Sequence, residues 1–88
     1  MDVFSYKPKN QPKVERKKLG RNEGLYWPTF NLIEVDTRLK GKKEMIIYIH
    51  EYLHKLFPDM EEDDVIINSE SIADFMWKNH FRRVDLGE

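Results

Sequence analysis

The sequence predicts an α+β domain in which a small two-stranded sheet or hairpin packs on two main helices. Three observations lead there. Residues 24–36 concentrate β-formers in partly alternating order, Lys42 to Phe57 runs with neither Gly nor Pro inside it, and Val65 to Phe81 has the length and apolar content of a second helix.

Eighty-eight residues form one domain with a modest core, at a size where a metal or another staple adds useful stability. There is no Cys, which excludes disulfides, thiolate zinc ribbons and cysteine nucleophiles. The apolar stretches are too short to span a bilayer, and Asp2 and Lys7 interrupt the N-terminal segment where a signal core would lie. No membrane association is expected, and a cytoplasmic setting is. Net charge is −1, unevenly divided: residues 1–43 hold eleven Lys/Arg against five Asp/Glu, and residues 44–88 hold four against eleven. The two halves should attract one another. Lys13-Val14-Glu15-Arg16-Lys17-Lys18 is basic enough to touch phosphate, but without interleaved aromatics it reads as a solvated or internally paired face.

Along the chain, residues 1–23 read as a basic N-terminal arm in which Lys13 to Leu19 can form a short helix stopped at Gly20. Residues 24–88 form the main domain. Leu25-Tyr26-Trp27, a turn at Pro28, and Phe30 to Asp36 give the hairpin. Thr37 to Lys43, with Gly41, connects to the first main helix, which Pro58 ends because its ring clashes with the preceding turn. Asp59 to Asp64 lacks the Gly and alternating ligands of a calcium loop and reads as an acidic solvated loop. Asp63 or Asp64 then caps the second helix.

The first main helix carries His50-Glu51-Tyr52-Leu53-His54. A helix turns about 100° per residue, so two His four apart share a face roughly 6 Å apart along the axis and can meet one ion. With His50 at 0° on a helical wheel, Met45, Ile46, Ile49, Leu53, Leu56 and Phe57 fill an arc from about 220° to 340°. Glu44, Tyr48 and Lys55 fall on the other side, and the histidines and Glu51 sit at its border. Glu51 is thereby placed to act on water as a general base rather than as a ligand. Zinc held by two His and one carboxylate keeps a fourth position for water, whose pKa falls to about 7.

Glu70, sixteen residues after His54, is the expected third ligand. Asp74, one turn further, can accept the free N–H of the His50 imidazole and fix its tautomer. His80 lies ten residues beyond Glu70, roughly 15 Å along a helix, and should not reach the ion.

The chain resembles the gluzincin metallopeptidases, through His50-Glu51-x-x-His54 as first motif and Glu70-x-x-x-Asp74 as second. Its order of strand, connection, pentad helix and glutamate helix is similar to the compact ImmA/IrrE-type peptidases, whose Glu-x-x-Ala is matched by Glu70 and Ala73, with Phe75 following. The resemblance covers residues 30–81. It implies a minimal zincin-like fold, a zinc ion held by His50, His54 and Glu70, Glu51 as base, and an edge strand on which an extended protein or peptide substrate lies. Leu53 departs from the small residue often found before the second His. Tyr48 and Tyr52 point away on the wheel, leaving Tyr26, Tyr6 or an Arg as donor to the transition state. Two other functions fit the same residues: a non-catalytic protein-binding domain, and a nucleic-acid-associated peptidase of the SprT-like kind tethered by the basic arm.

Overall fold

A central strand organises the molecule. The computed structural model describes residues 10–84, in the order β1 (Lys13–Lys17), β2 (Gly24–Trp27), a 3-10 turn (Pro28–Phe30), β3 (Leu32–Asp36), α1 (Gly41–Leu56) and α2 (Glu62–Lys78). β3 lies between the other strands, antiparallel to β2 and parallel to β1, so the α+β sheet has three strands rather than two. Pro28 fixes the entry to the 3-10 turn, and Asn31, at φ 48°, reverses the chain into β3. Strand alternation sends Ile33 and Val35 to one face, where they pack on Ile47 of α1 with Tyr26, Leu39, Tyr48 and Tyr52 around them.

The opposite face of β3 buries charge instead. Glu34 accepts from Trp27 Nε1 at 2.8 Å and pairs with Lys17 at 2.9 Å. Asp36 accepts from Arg38 Nε and Nη2, each at 2.8 Å, and from the backbone N–H groups of Arg38 and Leu19. Each of the four buried carboxylate oxygens is thus matched by at least one donor.

β1 replaces the short helix expected over Lys13 to Leu19. Its residues are all exposed, so burial of their own side chains does not fix the conformation. Pairing does: β1 satisfies the free side of β3, and Arg16 reaches Glu44 of α1 at 3.2 Å. The division between an arm at 1–23 and a domain from 24 onward therefore cuts through one sheet. Residues 1–9, including Tyr6, lie outside the described residues.

α1 is sandwiched between the sheet and α2, which packs on α1 rather than on the sheet. The apolar arc seen on the wheel is its α2-facing side. A second side, with Glu44, Ile47 and Glu51 buried, faces the strands, so Glu44 does not lie on a solvated face. α2 begins at Glu62, three residues before the expected start, because Glu62, Asp63 and Asp64 fill its first turn, where carboxylates oppose the helix dipole favourably. Val65, Ser69 and Ala73 form its buried stripe, and small Ser69 and Ala73 let the two helices approach closely. Lys42 pairs with Asp74 at 2.8 Å, which matches the start of α1 to the end of α2 and leaves the C-terminal turns of α1 facing the first turn of α2. Among the described residues, no helix is long and apolar enough to cross a membrane.

Candidate metal centre

The antiparallel pairing brings His50 and His54 to Glu62. His50 Nε2 and His54 Nε2 stand 3.2 Å apart, with the rings edge-on at 69°. Glu62 Oε1 lies 2.9 Å from His50 Nε2, and Oε2 lies 3.5 Å from His54 Nε2. Two ligands of a tetrahedral zinc at about 2.05 Å are separated by roughly 3.3 Å. The donor set also fits: two neutral imidazoles and one carboxylate form a recurrent zinc environment that leaves one position open. Among the described residues, these three are the group of His, Asp and Glu side chains whose ligand atoms all lie within 4.8 Å of one another.

Local sequence explains the convergence. The i, i+4 spacing stacks the imidazoles on one flank of α1, between the sheet-facing and α2-facing sides. Phe57 still donates its N–H to the Leu53 carbonyl at 2.8 Å but leaves the helical backbone, at φ −131° and ψ 74°, before Pro58, and the short turn there delivers Glu62 beside the rings. Glu62 is itself exposed, and its position three residues before buried Val65 puts it on the α1-facing edge of the first turn of α2.

Glu51 is 7% exposed and turned toward β2. A Cβ at Gly24 would stand 2.5 Å from Ile47 Cγ2 and 3.1 Å from Glu51 Oε2, so the strand runs this close to α1 only because position 24 is glycine. Burial, the largest influence, raises the Glu51 pKa above the ordinary carboxylate value, as does the Glu62 charge, while His54 opposes the shift. Burial also lowers the His50 pKa; Glu62 pulls it upward and His54 downward, and the net direction is down. The carboxylate at 2.9 Å is thus outweighed by desolvation, which favours the neutral, ligand-competent imidazole.

A cleft of about 680 Å³ opens over these groups, with Gly24, Leu25 and Tyr26 on one wall and His50, Glu51, His54 and Glu62 on the other. Among the described residues, β2 is an edge strand. Because Asp36 N–H bonds the Glu23 carbonyl and the 23/36, 25/34 and 27/32 pairs repeat that pattern, the backbone groups of Gly24 and Tyr26 face the free edge. Lys55 also lines the cleft, as does Tyr26. By contrast, the Tyr48 hydroxyl accepts from Arg83 and the Tyr52 hydroxyl from Gln11, at 2.9 and 3.1 Å.

Two expected site residues lie elsewhere. Glu70 is exposed, is not part of the group, and sits eight residues past Glu62, about 12 Å along α2. The reason is register: starting α2 at Glu62 places its first turn, not its third, beside the histidines. Asp74 does not orient His50; it binds Lys42 at 2.8 Å and Lys78 at 3.1 Å at the other end of the helix pair. Those two ammonium groups, Lys42 first, lower its pKa. His80 follows the end of α2, at φ 69°, and is outside the group. Glu62 was hidden in what reads as an acidic loop; its signal was the spacing to Val65, Ser69 and Ala73. A scan against protein-family models matches none, and a comparison with curated proteins returns no relative.

Proposed function

We propose that this chain is a zinc-dependent metallopeptidase hydrolysing peptide bonds of a specific protein substrate, with His50, His54 and Glu62 holding the metal and Glu51 as general base. The observation that carries the reading is the convergence of two imidazole nitrogens 3.2 Å apart with the two Glu62 carboxylate oxygens, one 2.9 Å from His50 Nε2 and the other 3.5 Å from His54 Nε2, next to a buried carboxylate in an open cleft. A bound zinc ion would polarise the scissile carbonyl and bring water's pKa toward neutrality.

The chain's own groups supply the rest. Glu51 takes the proton as water oxygen adds to the carbonyl carbon, then gives it to the amine as the C–N bond breaks; its raised pKa brings proton release closer to neutral pH. The free edge at Gly24 and Tyr26 offers N–H and C=O groups to an extended backbone and so fixes the scissile bond over the cleft. The Tyr26 hydroxyl is the donor to the developing oxyanion, a role worth about 3 kcal/mol. A cytoplasmic setting belongs to the same proposal.

A second reading is favoured by the same short distances, since two imidazoles and a carboxylate can hydrogen-bond without an ion and serve only to join α1 to α2. The domain would then bind protein through its exposed edge. Glu51→Gln separates the two. In zinc-loaded protein assayed on a quenched-fluorescence peptide library, the peptidase reading expects unchanged zinc content and at least a hundredfold loss of hydrolysis. Equal turnover by the variant, or none by the parent, refutes it.

A further inference from the structure

The flank of α1 opposite the metal cleft holds a second groove, of about 770 Å³, between α1, α2 and Arg16 of β1. Its floor is apolar: Met45 and Ile49 from α1 face Ile72 and Met76 from α2. Ile72 and Phe81 remain 41% and 54% exposed there. Its rim is cationic, four Lys/Arg against one carboxylate. Arg16 and Arg83 both contact Glu44 Oε2 at 3.2 Å. Lys40 and Arg82 stand on the same rim, and among the described residues neither is paired with a carboxylate. Arg82 donates to the backbone carbonyls of Trp77 and Phe81 and lies 3.4 Å over the Trp77 ring.

We infer that this groove is a docking site for an acidic amphipathic segment of a partner protein, whose apolar row enters between α1 and α2 while its carboxylates meet Lys40 and Arg82. Each half of the chemistry narrows the occupant. An apolar trough between two helices accepts one row of side chains at i, i+3/i+4 and i+7, and unbranched Met45 and Met76 adapt to their shape. A net positive rim selects acids on the flanks of that row and disfavours a basic helix. Single-stranded nucleic acid would need a stacking platform, yet Arg82 already covers a face of Trp77, and Met and Ile side chains offer no replacement. The groove is separate from the metal ligands, so docking there leaves the cleft at β2 open.

The test is fluorescence anisotropy on the full zinc-loaded chain with a fluorescein-labelled 15-residue peptide carrying Leu at helical spacing and Glu elsewhere. A scrambled peptide of equal composition, a Lys-for-Glu version and a single-stranded oligonucleotide are the controls. Saturable binding at least tenfold tighter than any control is expected, weakening with salt, and falling at least tenfold in the Lys40→Glu/Arg82→Glu double variant and in Ile72→Asp. Zinc content and melting temperature of the double variant should match the parent, which keeps a failed groove distinct from a failed metal site. No saturable binding, binding unchanged in the double variant, or tighter binding of the oligonucleotide overturns the inference. So does self-association in sedimentation velocity that the double variant abolishes, since that gives the groove to a second copy of the chain.

Discussion

Gly24→Ala probes the contact on which the cleft is built. The added Cβ would stand 2.5 Å from Ile47 Cγ2 and 3.1 Å from Glu51 Cγ. Carbon atoms rest at about 3.5 to 4.0 Å, so the first contact is too close by roughly 1 Å. Ile47 is 8% exposed and belongs to the core, leaving little room to turn aside. Overpacking of this kind costs about 1–3 kcal/mol, and the lower unfolded-state entropy of Ala returns about 0.4–1 kcal/mol. A net loss of about 1–2 kcal/mol lowers the melting temperature of a domain this size by roughly 5–15 °C. Circular-dichroism melts in excess chelator read that loss directly. Zinc should still raise the melting temperature of the variant, because all three proposed ligands lie on the helices and none on β2. Gly20→Ala is the control: position 20 has φ +67° and no neighbour within 4 Å, so Ala there strains only the backbone and leaves the cleft intact. A Gly24→Ala melt within 1 °C of the parent would refute the close approach of β2 to Glu51.

Two further outcomes follow from the same geometry. Asp36 is held well below the ordinary aspartate value of 3.8, first by the Arg38 side chain and then by the N–H groups of Arg38 and Leu19. Its contribution is complete above the unfolded pKa and disappears as pH falls through the lower folded one, so Asp36→Asn should flatten the acid limb of stability against pH in denaturant titrations between pH 5 and 2; an unchanged limb contradicts the assignment. Tyr26→Phe should cut kcat about a hundredfold while zinc content stays constant, and a change confined to KM would assign Tyr26 to substrate binding instead.

The sequence made the pentad helix legible almost to its ends, expected at 42–57 and found at Gly41–Leu56, because Pro58 leaves the chain no way to continue. The hairpin was legible too, through the β-formers on either side of Pro28. β1 was not: Lys13-Val14-Glu15-Arg16-Lys17 has no apolar face, and only pairing with β3 makes it a strand. Hydrophobic periodicity exposed one side of α1 and concealed the other, since the sheet-facing side is built with Glu44, Tyr48, Glu51 and Tyr52 around Ile47. The third candidate ligand was missed for a related reason. Four consecutive acids, Glu61 to Asp64, look like a solvated loop, yet three of them are favourable first-turn residues of a helix, and one, Glu62, is in helical register with the buried stripe of Val65, Ser69 and Ala73 although itself exposed.

The central claim, that two imidazoles of α1 and the first carboxylate of α2 converge on one divalent ion, is tested most directly by elemental analysis of natively purified protein. The parent, Glu62→Ala and Glu70→Ala should be compared in the same zinc-competition titration. One zinc per chain in the parent, at least a tenfold loss of affinity in Glu62→Ala and none in Glu70→Ala is the predicted result. Metal lost with Glu70 and retained without Glu62, or absent from the parent altogether, contradicts it.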